Sequence, residues 1–511
     1  MRNLYSIILL ALALILTSCQ KSDTNGASKE VTIKQEQNMN PVANRPEKLT
    51  YSDFKVTIPD ANKYRHQLNG NNVAYIMEDH ALPLVNLQIA SRAGWYILDK
   101  KHLGVAYLLD SMLREGGTKN FSPSELNEKL DFLATRINFN MSTTNGRAYL
   151  DTLKVNLDES LNLLFDMLIN PGFDKAQLAI EKSKAIERIK RRNDDTRTIE
   201  PRVWDELMRG DHFFDNRMAT AAQINSVTVA DLKKYTTKIF ANGQLVIGVS
   251  GDVDKNTIIN KLNDQLAQLA TGTPLPAIPS EITTIEPGLY GIEKAEVTQS
   301  RVSLGLPAIQ RGNKDELAIM VMNNILGGGG FTSHIVSRVR SDEGLAYSAG
   351  SYFERPAFYQ GFFRAFYQSK NKSVAFAMKI ILEEINKIIN QKVTENELHI
   401  AKQSVNSALG NIFSNANSKV ARFVNDDIQH INKDYWKNYE TKVNAVTLDD
   451  IQRVAKTYLK PDQLRFLIVG NLTAVEKGDG EHGMLSEVVG MKLKQLRLRD
   501  PLTLKPLPIK E

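Results

Sequence analysis

"VTVADLKKYTTKIFANGQLVIGVSG" (residues 227–251) decides the fold, because it occurs twice. Residues 446–470 read "VTLDDIQRVAKTYLKPDQLRFLIVG" and align to it without a gap, at a constant offset of 219 residues (227 to 446, 251 to 470). Val, Thr, Asp, Gln, Leu and Gly are identical at 227/446, 228/447, 231/450, 244/463, 245/464 and 251/470, and most other core positions stay apolar. Each copy reads as a Thr-capped helix, a turn, then a buried strand. A segment that closes both halves of a chain marks two copies of one unit. The predicted fold is α+β, two homologous α/β-sandwich halves. Their seam is "TGTPLPAIPSEITTIEPG" (residues 271–288), with four prolines and no hydrophobic period. The halves are then residues 48–270 and 289–475. Residues 476–511 form a tail with a Lys/Arg-rich stretch and no evident place in either half.

A chain of 511 residues is too long for one core, and its 42% hydrophobic and 24% charged residues are ordinary globular composition. The net charge of +6 is diluted over 64 basic and 58 acidic residues. No dense Lys/Arg stripe with interleaved aromatics is present, so nucleic acid is not an expected partner. The single cysteine, Cys19, excludes an intrachain disulfide. It follows Arg2, the apolar run "IILLALALIL" (residues 7–16) and "LTSC" (residues 16–19). That run suits a signal peptide and is too short to span a bilayer. The line resembles a bacterial lipobox, which implies signal removal (residues 1–18) and lipidation of Cys19. Residues 20–47 are polar and without period, and read with Cys19 as a lipid-anchored flexible tether, residues 19–47. Gln20, rather than Asp, after the cysteine points to the outer membrane, facing the periplasm.

Within the first half, strands are predicted over residues 72–78 and 84–91, and a β pair over 135–142 and 147–155. A capping box at Ser122/Glu125 with Pro123 starts one helix. Further helices are predicted over 157–169, 174–191 and 201–209. "GVAYLLDSMLREGGTKN" (residues 104–120) reads as an amphipathic helix running into a Gly-Gly turn. Tyr107, Asp110 and Ser111 then share one face at i, i+3 and i+4. In zinc peptidases of the inverted type that face reads H-x-x-E-H.

The chain here resembles the insulinase/pitrilysin family of zinc metallopeptidases, in its processing-peptidase-like branch. The resemblance implies halves facing one another in a clamshell around a peptide chamber. The family's "G-x-A-H-x-x-E-H…G-T" reads Gly104-Val105-Ala106-Tyr107-Leu108-Leu109-Asp110-Ser111, then Gly117-Thr118. The helix that carries the third ligand reads "EKSKAIERIKRRNDD" (residues 181–195), which places Arg188 at the ligand position and Glu181 at the other acidic one. All three zinc positions are altered. A protonated phenol and a hydroxyl are poor donors, and a guanidinium repels the ion. The eight histidines include no pair at i, i+3 or i, i+4. The expectation is therefore no metal in this chain, with the Arg188 guanidinium replacing the missing positive charge beside Asp110.

In the second half, "LGGGGFTSHIVSRVRSDEGLAYSAGSYF" (residues 326–353) is similar to the family's "L-G-G-G-x-S-S-R-L…L-R-E-x-x-G-L-A-Y-S". That line implies that Arg340 and Tyr347 bind substrate backbone and stabilise a developing oxyanion. Gly327, Gly328, Gly329 and Gly330 read either as a link between helices or as a short form of the substrate-binding glycine loop of processing-peptidase non-catalytic subunits. The resemblance implies a non-catalytic subunit, inactive alone, serving a partner that carries H-x-x-E-H and the zinc and acts on peptide substrates. The rival expectation is a homodimeric pseudo-peptidase acting as a peptide-binding or scaffold lipoprotein of the envelope.

Overall fold

Both repeats begin with a formed Thr–Asp capping box. The Thr228 hydroxyl accepts from the Asp231 N–H at 3.2 Å, and the Asp231 carboxylate accepts from the Thr228 N–H at 2.9 Å. Thr447 and Asp450 do the same, both at 3.1 Å. The boxes start helices Val229–Phe240 and Leu448–Tyr458, which lead into buried strands β6 (Leu245–Gly251) and β11 (Arg465–Gly470). Both strands end on glycine because a neighbouring strand lies too close for a side chain. A Cβ on Gly251 would sit 2.0 Å from the Leu84 carbonyl oxygen, and one on Gly470 1.8 Å from the Ser300 hydroxyl.

The computed structural model describes residues 56–241, 244–269, 274–283 and 285–509. The expected signal peptide, Cys19 and the tether lie outside the described residues. The first sheet comprises β1 (Arg65–Gln67), β2 (Val73–Glu78), β3 (Leu84–Ser91), β4 (Arg136–Met141), β5 (Gly146–Leu153) and β6. Its order is β1-β2-β6-β3-β5-β4. The second comprises β7 (Gly288–Glu293), β8 (Gln299–Pro307), β9 (Ala346–Phe353), β10 (Phe362–Lys370), β11 and β12 (Leu493–Gln495), in the order β12-β7-β11-β8-β10-β9. Apart from one outer strand each, the orders are the same. In the first sheet the repeat strand β6 pairs parallel to β2 and antiparallel to β3, and in the second β11 pairs parallel to β7 and antiparallel to β8 in the same way. The second sheet's outer strand comes from the tail: β12 pairs parallel to β7.

The halves face one another, and two equivalent helices close the boundary. Helix Thr196–Arg209 of the first half packs on β8 and β11 of the second. Helix Ala416–Ile428 of the second half packs on β2, β3 and β6 of the first. The lack of a side chain at Gly248 admits Val420 and Val424, whose methyls would lie 2.6 and 2.9 Å from a Cβ there. Each crossing is fastened by charge. Glu200, on the first helix, takes both Arg364 Nη2 contacts, at 2.7 and 2.6 Å, and also accepts from Ser303. Asp427, near the end of the second, accepts from Arg92 at 2.7 Å and from the Tyr75 hydroxyl at 2.8 Å.

Two local expectations change. Residues 104–120 do not form one α-helix: a 3-10 turn covers Leu103–Tyr107, Leu108 breaks it, and an α-helix runs only over Leu109–Glu115. Gly104 is pressed against the Gln223 carbonyl, 2.3 Å from where its Cβ would be, and that contact holds the tighter turn. The helix expected from residue 201 starts at Thr196 instead. The Asp195 carboxylate caps it by accepting from the Arg197 N–H at 2.8 Å, and Pro201 sits inside it.

Glu200 is 1% exposed, so removing it strands a buried guanidinium. Glu200→Ala is expected to cost about 3–5 kcal/mol in denaturant unfolding, with much of that recovered when Arg364 is replaced by Met in the same chain. A cost near zero for Glu200→Ala would show that the pair does not hold the halves together.

Candidate functional site

The four degenerate zinc positions separate into two pairs. Tyr107 and Arg188 line one open groove, together with Arg192, Arg202 and Met218. Asp110 and Ser111 turn inward. The Ser111 hydroxyl donates to the Leu108 carbonyl at 3.0 Å, which covers the break in the helix. Asp110 accepts from the Met141 N–H at 3.1 Å and so ties the helix to the end of β4. Its other oxygen is buried without a partner.

Arg188 does not replace the missing charge beside Asp110. Its side chain is exposed, and no hydrogen bond or ion pair joins it to Asp110 among the described residues. Burial instead pushes the Asp110 carboxyl up to about 6, against the lowering effect of the Met141 N–H. Removing the charge costs less than keeping it unpaired in a poorly solvated place. The Tyr107 phenol meets the guanidinium of Arg192, which also donates to the Ala219 carbonyl at 3.2 Å. Glu181 is buried and accepts from Lys184 at 2.7 Å and from Gln177 at 3.2 Å. These groups do not fit zinc: the three ligand positions hold a phenol, a hydroxyl and a guanidinium, Asp110 leaves a single free carboxylate oxygen, and the groove above them is cationic.

In the second half the expected pair is assembled. Arg340 lies in a π-helical turn, Ser337–Asp342, and Tyr347 is the second residue of the edge strand β9. The Arg340 guanidinium carbon is 4.3 Å from the Tyr347 ring centroid and 4.5 Å from that of Phe331. The two rings are 84% and 64% exposed. Phe331 was not among the residues singled out from the sequence. The available signal was an aromatic directly after four glycines in a polar turn. Stacking fixes the guanidinium while leaving its N–H groups outward, and among the described residues no acceptor takes them.

The glycines hold this geometry by close packing. Gly327 and Gly328 end a π-helical turn, Asn324–Gly328. A Cβ on Gly327 would be 2.4 Å from the Ser351 hydroxyl on β9, and one on Gly329 would be 2.5 Å from the Asn324 carbonyl. Gly330 takes φ +64°, which turns the chain out to Phe331. The run is a tight turn clamped onto β9.

Asp110 gives a pH signature. Its unfolded carboxyl titrates near 3.9 and its folded one near 6, so the folded state binds the proton more tightly. Stability is therefore lost as pH rises from about 4 through about 6. Between about pH 3.5 and pH 7, the stability difference between wild type and Asp110→Asn should shift in favour of the variant by roughly 2–3 kcal/mol. A pH-independent difference in paired denaturation curves would show that Asp110 stays charged and solvated.

Two family models match the chain: "Insulinase (Peptidase family M16)" over residues 80–221 and "Peptidase M16 inactive domain" over residues 226–405. The chain is 29% identical over 351 residues to a Helicobacter pylori protein called "Non-peptidase homolog YmxG", covering 67% of this chain and 79% of that one. It is 25% identical to an "Uncharacterized zinc protease YmxG" of Bacillus subtilis, covering 62% and 76%. Among solved structures, a peptidase M16 inactive domain from Pseudomonas fluorescens superposes with a TM-score of 0.71 at 21% identity, covering 80% of this chain and 97% of that one. The periplasmic protease PqqL of Escherichia coli gives 0.66 at 13% identity, covering 91% and 50%. With the duplicated sheets, the altered zinc line and both halves matched in order, this chain belongs to the insulinase (M16) peptidase family.

Proposed function

We propose that this chain is the non-catalytic subunit of a two-chain zinc peptidase of the cell envelope, tethered by a lipid at Cys19. The observation that carries the reading is the Arg340 guanidinium held between the exposed rings of Phe331 and Tyr347, at the open edge of β9. An edge strand offers unpaired backbone groups to an extended peptide. Beside it, a guanidinium and a phenol are strong donors positioned before substrate arrives. Donors of this kind matter most where negative charge forms on a substrate carbonyl. This chain has no group suited to activating water at its own zinc line, so the partner supplies the metal and the general base. The relative called a non-peptidase homolog supports the absence of such chemistry here.

The test is hydrolysis of a peptide library by this chain alone, by a related chain with intact H-x-x-E-H alone, and by the two co-expressed. Activity is expected only in the mixture. Arg340→Ala or Tyr347→Phe should then lower kcat by about 10²–10³. Phe331→Ala, which only frees the guanidinium, should lower it by about fivefold. Unchanged kcat in all three variants would remove these residues from catalysis and favour the scaffold reading.

A further inference from the structure

The helix Lys175–Lys190 and the turn after it line one side of the open groove above the former zinc line. The groove has a volume of about 820 Å³. Lys184, Arg188, Arg191, Arg192 and Arg202 all face it, with Tyr107 at its base, and its one acidic lining residue is Glu187. Glu187 is held 3.5 Å from Lys190, so it neutralises little of the groove. Lys184 is paired with Glu181 at 2.7 Å. Arg188 and Arg191 are exposed and have no acidic partner among the described residues.

The helix end explains part of this charge, because cations are favoured at a helix C-terminus. It does not explain Arg202, which comes from the crossing helix Thr196–Arg209, or Arg192, which is half-buried behind Met218. Burial pulls both guanidinium groups below their usual pKa; on Arg202 the Glu206 carboxylate works against that and Arg192 adds to it. The Arg202 Nε is buried without a partner, while its Nη2 donates to Asn193 at 2.8 Å. Like charges gathered beyond the counter-charge that Glu181, Glu187 and Glu206 supply store repulsion that an anion would relieve.

The spacing chooses among anions. Lys184 and Arg188 stand about one helical turn apart, ~6 Å along the axis. In an extended chain, residues i and i+2 present their side chains to one face ~6.6–6.8 Å apart. A compact anion such as phosphate would occupy one or two of these cations; a row of carboxylates can meet the whole row. We propose that this groove binds an extended acidic peptide segment, with carboxylates on alternate residues lying along Lys184, Arg188 and Arg191 and reaching Arg202. All these groups belong to this chain, so the proposal stands apart from the two-chain reading.

The experiment uses the full chain by itself and fluorescence anisotropy. The probe is a fluorescein-labelled peptide of about a dozen residues alternating Glu with Thr. It is compared with the same peptide carrying Lys or Gln for Glu, and with inorganic phosphate as competitor. The Glu peptide should bind, more weakly as salt rises, and the Lys and Gln peptides should not. The double variant Arg188→Glu, Arg191→Glu should weaken binding at least about tenfold, and its melting temperature should stay that of the wild type because both side chains are exposed. Equal binding of the Gln peptide, or unchanged binding by the folded double variant, would overturn the proposal. So would displacement by phosphate at matched charge concentration, which would reduce the groove to a simple anion site.

Discussion

The buried pair of Glu200 and Arg364 is the constraint on which the rest of the molecule turns. It sits where a helix of the first half lies on the sheet of the second. An ion pair removed from water tolerates little displacement, because each charge is costly without the other. The crossing helix therefore has one position. Arg209, nine residues along, is 2% exposed, pairs with Glu354, and lies over the rings of Phe213, Tyr359 and Phe362 at 5.8, 5.2 and 4.9 Å. Burial raises the nearby Glu354 to about 7 and Asp205 to about 6. The same helix also brings Arg202 to the groove above Tyr107. One boundary thus sets the relation of the two sheets and the charge of the surface beside them.

The first half shows how a metal site is replaced in a fold that keeps its frame. Zinc supplies positive charge in a place shielded from water. Without it, the remaining carboxylate must be paired, hydrated or protonated. Asp110 keeps a backbone hydrogen bond and an elevated pKa, and Arg188 swings out to solvent. The surface above becomes basic. A cationic groove and a divalent cation exclude each other, so this change fits poorly with a return to metal binding.

In the second half the opposite holds. Three exposed groups, Phe331, Arg340 and Tyr347, are organised by two π-helical turns and a run of glycines pressed onto β9. Exposed rings gain little from folding, and π-helical turns are uncommon, so the core does not account for this arrangement. The two halves carry the same strand order but have opposite surfaces: one basic, above a buried carboxyl whose pKa is raised, the other aromatic beside the edge strand β9.

Much of the fold was legible in the sequence. The 25-residue repeat, its Thr caps and its terminal glycines announce a duplicated unit, because capping and close strand approach are local demands met by particular residues. The pair Arg340/Tyr347 was named only through the resemblance of residues 326–353 to a family line. The break at Leu108, the start of the crossing helix at Thr196 and the placing of the tail as β12 were not legible. Each depends on what presses from elsewhere: Gln223 on Gly104, the facing sheet on Ile199 and Trp204, and β7 on the tail. The sequence by itself determined which groups are present at the zinc line and that zinc's ligands are missing. Only the tertiary structure decided that the Asp110 carboxyl is pushed up to about 6 while Arg188 faces water, because burial and distance, and not residue identity, set the cost of a charge.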